Sequence, residues 1–187
     1  MTLVLVVGPS GAGKDSLIRG AREFFAPAGE INFVRRYITR PPDGSEDNYY
    51  LDETAFIQLE KSRFYAATWQ AHGNRYGIAR HALENAAAAV SLCSISRGAV
   101  AEFEMGYRDV VTIMVTTQPA ILRQRLLRRG RESCGEIEAR LARAAAPLRA
   151  RQLIEFDNSA DYQSSLASFT RLLTQIGRRV REGVRCG

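Results

Sequence analysis

The feature that most limits what this chain can become is a short apolar run that ends on a glycine-rich turn. Thr2 to Val7 is uncharged and rich in β-branched residues, the pattern of a strand buried on both faces of a parallel sheet. It runs directly into Gly8-Pro9-Ser10-Gly11-Ala12-Gly13-Lys14. A helical pattern follows from Asp15 to Phe25, with Leu17, Ile18, Ala21, Phe24 and Phe25 at helical spacing. A G-x-x-x-x-G-K turn between a strand and a helix is a phosphate cradle. Its glycines let backbone N–H groups converge on phosphate oxygens. The helix adds the positive end of its dipole, and Lys14 reaches the β and γ oxygens of a nucleotide. Gly8, Pro9, Ser10, Gly11, Ala12, Gly13, Lys14, Asp15 and Ser16 are therefore the expected nucleotide-binding residues, with ATP as the expected donor.

One position departs from the motif. The residue after the lysine is usually Ser or Thr, whose hydroxyl ligates Mg²⁺, whereas here Asp15 precedes Ser16. A carboxylate is a good hard ligand for Mg²⁺, so Asp15 is the candidate metal ligand. The other reading, a helix-start aspartate serving its own N-terminus, stands beside it.

The rest of the chain alternates strands and helices. Ile31 to Ile38, Val90 to Ile95, Val110 to Val115 and Gln152 to Phe156 read as further strands. Glu53 to Lys61, Arg80 to Ala89, Ala120 to Arg129, Glu136 to Ala150 and Tyr162 to Arg181 read as helices. Phe64 to Gly77 is aromatic-rich and suits short strands, and Arg40 to Asn48 is a loop. The expected fold is α/β, a mostly parallel sheet flanked by helices, in one domain spanning 1–187.

Composition closes off other classes. The net charge of +6 is carried almost wholly by arginine, Lys14 and Lys61 being the only lysines. Guanidinium groups suit bidentate grips on phosphate. The arginines are scattered, with no basic tail or aromatic-basic interleave, so nucleic acid is not the expected partner. Cys93, Cys134 and Cys186 are odd in number and widely spaced. That excludes a disulfide framework or zinc site and suits the cytoplasm. No stretch has the length of a membrane span. His72 and His81 sit in no ligand-spaced cluster and read as surface or packing residues.

With these features in place, the chain resembles the guanylate kinase family from its first strand to its last helix. The loop, Thr39-Arg40-Pro41 followed by Gly44, Tyr76-Gly77, the run Leu122 to Arg131 with Glu136 to Ala145, and Asp157-Asn158 carry the resemblance. It implies a P-loop NTPase fold with a small acceptor-binding insertion (about 36–78), a helical lid (about 125–140), and Asn158 near the adenine. Three departures bear on the acceptor. Pro42-Asp43-Gly44 lacks that family's second arginine, its guanine-reading glutamate falls at or near Ala67, and Cys93-Ser94-Ile95-Ser96-Arg97 replaces its Asp-x-Asp strand end. A pocket without acceptors for the N–H groups of guanine discriminates poorly for it.

A second resemblance is closer. Gly13-Lys14-Asp15-Ser16, Arg36-Tyr37-Ile38-Thr39-Arg40, Gly44-Ser45-Glu46, Ser96-Arg97 and Leu122-Arg123-Gln124-Arg125-Leu126 through Arg131-Glu132 are similar to the ribose 1,5-bisphosphate phosphokinase family of bacterial phosphonate catabolism. It implies transfer from ATP to ribose 1,5-bisphosphate, giving 5-phospho-α-D-ribose 1-diphosphate and ADP. An ionised phosphate acceptor needs no general base. Expected acceptor-binding residues are Arg36, Arg40, Tyr76 and Arg97, with Arg75, Tyr49 and Tyr50 as further candidates. Lys14, Arg125 and Arg131 are the expected catalytic cations. Arg125 and Arg129 share one helix face, Arg128 and Arg131 another, so not all four can face ATP. A nucleoside monophosphate kinase and a non-catalytic guanylate-kinase-like interaction module are the alternatives. The partners expected are small molecules, and oligomeric state is left open.

Overall fold

A computed structural model describes all residues except 42–46, 72, 85–87, 131–133, 145 and 186–187, and omits a few further side chains in the lid region and the last helix. Strand β1 (Thr2–Val7) is the centre of a five-stranded sheet. Its neighbours are β7 (Val90–Ser94) and β8 (Val110–Thr116), with β2 (Ile31–Val34) and β9 (Leu153–Asp157) outside them. All four pairings are parallel. Such a sheet must be covered on both faces, and the alternation along β1 shows how. Val4 and Val6 join a core beneath α1 (Lys14–Phe25) and α7 (Tyr162–Arg185), where Leu17, Ala21, Phe169 and Leu173 pack. Leu3, Leu5 and Val7 face the opposite core, with Phe103 of α4 (Val100–Gly106) and Leu83 of α3 (Arg80–Leu83).

The second sheet has the order β4-β3-β6-β5, built from β3 (Tyr37–Ile38), β4 (Tyr49–Tyr50), β5 (Tyr65–Ala71) and β6 (Asn74–Ala79). Helix α2 (Glu53–Lys61), capped by Asp52, packs Phe56 on Tyr65 with ring centroids 4.6 Å apart. Tyr37 meets Tyr49, Phe64 and Tyr65 at 4.9–5.8 Å. Aromatic contact takes the place of a deep aliphatic core in this small sheet. Ala67 and Ile78 attach it to the core of the main sheet.

On the other side of the phosphate loop, α5 (Pro119–Arg129) and α6 (Cys134–Ala144) form a pair with its own small cluster of Leu122, Leu126 and Ile137. None of the helices, over the described residues, is long and apolar enough to cross a membrane.

Three sequence expectations are corrected. Ile31 to Ile38 is two strands in different sheets, because the charged pair Arg35-Arg36 falls between them and turns the chain toward the crevice. The helix expected over Arg80 to Ala89 ends at Leu83; Glu84 already has non-helical backbone. Helix α4, absent from the sequence reading, covers the far face of the sheet with Val100 and Phe103.

Candidate functional site

Parallel strands gather their carboxyl ends at one edge, and ligands bind in the crevice outside that edge. Here β1 delivers Gly8, β7 delivers Ser94 and the turn at Arg97, and β8 leads to Gln118. The loop after β1 needs its glycines: Gly8, Gly11 and Gly13 have φ of 146°, 90° and 89°. At Gly8 a Cβ would run into the Val115 carbonyl, and at Gly13 into the Asn158 carboxamide. Substitution at either is opposed by both backbone strain and contact.

Gly13 caps α1 without any side-chain acceptor, and Asp15 is the acidic residue of the first turn. The Lys14 ammonium arches back over the loop, donating to the carbonyls of Gly8 at 2.8 Å and Pro9 at 3.0 Å. That position puts a compact cation beside the concave face that the glycines shape.

Two residues from distant parts of the chain clasp the loop from behind. Asn158, 6 % exposed, donates from Nδ2 to the Ala12 carbonyl at 2.6 Å. Arg125 donates to the same carbonyl at 3.4 Å and to the Asn158 carbonyl at 3.1 Å. The Asn158 N–H is held in turn by Thr116 at the end of β8. Loop, α5 and the end of β9 are thus bound through one carbonyl oxygen. Sequence reasoning placed Arg125 and Asn158 at the site but did not foresee this joint, which no local spacing encodes.

On the side of the small sheet, Arg36 lies between the two sheets with its side chain 13 % exposed. It donates to Asn48 at 3.1 Å, Ser94 at 3.4 Å and Asp15 at 3.3 Å, and its guanidinium lies 6.0 Å from the Tyr76 ring centre. Tyr76 is buried and stacks on Trp69 at 5.6 Å. Arg40 is half-buried just after β3. Arg97 opens the turn after β7 and donates to the Ala146 carbonyl at 3.1 Å. Arg75 faces away, toward Glu53 at 3.1 Å and Glu60 at 3.7 Å. Tyr49 and Tyr50 are exposed. Arg131 lies outside the described residues, and Arg128 is exposed on α5.

Two residues that the resemblance set against guanine binding, Ala67 and Cys93, are buried. Ala67 is 3 % exposed and packs in the core with Ile78. Cys93 is fully buried, and burial pushes its thiol up to about 12 against a smaller opposing pull from Arg36, so it is neutral at physiological pH.

The donor set around Asp15 fits one Mg²⁺. That ion is commonly held by one or two carboxylates plus substrate phosphates and water, and Asp15 sits beside Lys14 with its side chain 38 % exposed. Among the described residues no cluster of three or more acidic, His or Cys side chains forms a site made of protein alone.

Comparison with known proteins gives a consistent picture. A ribose 1,5-bisphosphate phosphokinase of Desulfomicrobium baculatum is 40 % identical over 185 residues, covering 95 % of this chain and 98 % of the relative. Those of Acidiphilium cryptum and Pseudomonas paraeruginosa are 42 % and 40 % identical, over 91 % and 94 % of the chain. Among solved structures, guanylate kinase from Anaplasma phagocytophilum superposes with a TM-score of 0.60 at 20 % identity, covering 95 % of this chain and 86 % of that one. An unliganded sugar kinase from Janibacter gives 0.50 at 17 % identity, over 93 % of each chain. No family model matches the chain.

Proposed function

The chain belongs to the ribose 1,5-bisphosphate phosphokinase family, and on that footing we propose how it moves the terminal phosphoryl group of ATP onto the 1-phosphate of ribose 1,5-bisphosphate. An oxygen of the 1-phosphate attacks the γ-phosphorus. The bond from that phosphorus to the β–γ bridging oxygen breaks, and ADP leaves with the electron pair. The product is 5-phospho-α-D-ribose 1-diphosphate. The acceptor oxygen is already ionised, so the protein supplies position and positive charge.

The glycine loop and Lys14 hold the β and γ phosphates, and Arg125, fixed beside Ala12, adds positive charge next to the loop. Asp15, with the neighbouring Ser16 hydroxyl, would hold Mg²⁺. That ion would supply neutralisation of the donor's phosphate charge. Arg36, Arg40 and Arg97 draw the acceptor in from the other side, with Tyr76 forming the wall behind Arg36. Arg131 is proposed as a further cation for the transferring phosphoryl group. A neutral, buried thiol at Cys93 suits the cytoplasm.

The observation that carries the acceptor assignment is the crevice wall, where the Arg36 guanidinium is held by Asn48, Ser94 and Asp15. An ADP-release assay offering ribose 1,5-bisphosphate, ribose 5-phosphate, GMP and AMP tests it. Turnover is expected with ribose 1,5-bisphosphate, with a new diphosphate signal by phosphorus NMR. A higher kcat/KM on GMP would overturn the assignment.

A further inference from the structure

Beside Asp15 lies a cavity of about 340 Å³ whose lining includes four arginines, Arg19, Arg22, Arg35 and Arg36, against two carboxylates, Asp15 and Asp47. Arg19 and Arg22 were not among the residues the sequence singled out. They share one face of α1 with Asp15 and Ile18, at i, i+3, i+4 and i+7. With a rise of 1.5 Å per residue, that face places Arg22 about 10 Å down the helix from Asp15. The cavity therefore has two cationic ends. One, at Arg36, adjoins Lys14 and the phosphate loop. The other is Arg22 and Arg35. Between them the wall is apolar, formed by the buried Ile18 and Val34.

The far end already holds an anion of this chain. The Asp47 carboxylate takes an N–H from Arg22 and pairs with the Arg35 guanidinium at 3.0 Å. Each guanidinium carries five donors, so Asp47 occupies a minority of them. The Arg22 Nε is buried with no partner among the described residues, and its guanidinium is held 5.9 Å over the Phe33 ring. Two guanidiniums converging on one carboxylate are arranged to converge on one phosphate.

We propose that Arg22 and Arg35, with Arg19 at the rim, form the subsite for the second phosphate of the acceptor, the 5-phosphate that does not react. The pentose lies over Ile18 and Val34, and the 1-phosphate at the Arg36 end meets the donor. This deepens the proposed function and rests on it. It also assigns specificity: the enzyme selects a bisphosphate because its crevice has a cationic grip at each end.

The test uses Arg35→Gln and Arg22→Gln in the full chain, with two half-acceptors as competitive inhibitors. Ribose 5-phosphate carries the group assigned to this subsite, and ribose 1-phosphate lacks it. The expected result is a rise of about 10- to 100-fold in KM for ribose 1,5-bisphosphate, the loss expected for a charge-assisted contact. The Ki of ribose 5-phosphate rises by a similar factor, while the Ki of ribose 1-phosphate and the KM for ATP stay within about twofold. Arg35 is exposed, so Arg35→Gln carries the test if Arg22→Gln does not fold. A wild-type enzyme that turns over ribose 1,5-bisphosphate, with both Ki values shifted equally or neither shifted, overturns this subsite alone. A wild-type enzyme with no turnover of that acceptor overturns the proposed function and the subsite with it.

Discussion

The two sides of the crevice, which we propose for donor and acceptor, are made of different material. The donor side is backbone: a turn of positive-φ glycines, a helix end without a side-chain cap, and one carbonyl clasped by Asn158 and Arg125. The acceptor side is side chain: Arg22, Arg35 and Arg36 reaching from α1 and the β2–β3 link to Asp47, Asp15, Asn48 and Ser94. Backbone amides read what every nucleoside triphosphate shares, its phosphates. Long side chains can be exchanged without altering the fold, so the acceptor side is where one scaffold acquires a new substrate.

This contrast can be broken at either side. The largest effect is expected from Lys14→Ala, which removes the one side-chain cation of the donor turn. Turnover should fall by on the order of 10²–10³-fold, the scale for removing a preorganised charge-stabilising group, with the KM for the acceptor little changed in steady-state kinetics. An equal loss of acceptor binding would mean that the two sides are not separable.

Next is Gly8→Ala. Its methyl group would meet the Val115 carbonyl at a φ that side chains rarely adopt. The expected cost is about 1–3 kcal/mol, read as a lowered denaturation midpoint, together with a raised KM for ATP. A variant as stable as the parent and with normal ATP affinity would show that the donor side does not depend on its backbone in this way.

The smallest effect concerns the acceptor wall. Burial raises the Cys93 thiol from its ordinary 9.0 to about 12, so the unfolded chain releases this proton first as pH rises. Stability should decline as pH climbs past about 9, since the unfolded state binds fewer protons there. Cys93→Ala should lose that part of the decline in melting curves taken across the alkaline range. A variant with the same slope as wild type would assign the decline to other groups.

The donor side was the legible one. Strand, glycines, lysine and helix are consecutive, so local pattern contains the whole device. The split at Arg35-Arg36 was not legible, because Ile31 to Ile38 is continuously strand-like and only the crevice separates β2 from β3. Helix α4 was missed for a related reason: Val100 and Phe103 supply too little periodicity to read before the sheet face they cover is known. The Ala12 joint required residues 12, 125 and 158 to meet, and Arg22 with Asp47 required a helix face and a loop to meet. Arg22 did carry a signal, its i+7 placement from Asp15, which had no meaning until the cavity was known.

Strand β1 has one further consequence. Among the described residues its strand partners begin at Val90 and Val110, well after its own residues in the order of synthesis. Synthesis proceeds at about 5–20 residues per second, so this uncharged hydrophobic segment waits several seconds before a slot exists to receive it. The glycine-rich turn at its end is thus made before its surroundings and takes its final place late, when the middle of the polypeptide has emerged and closed around it.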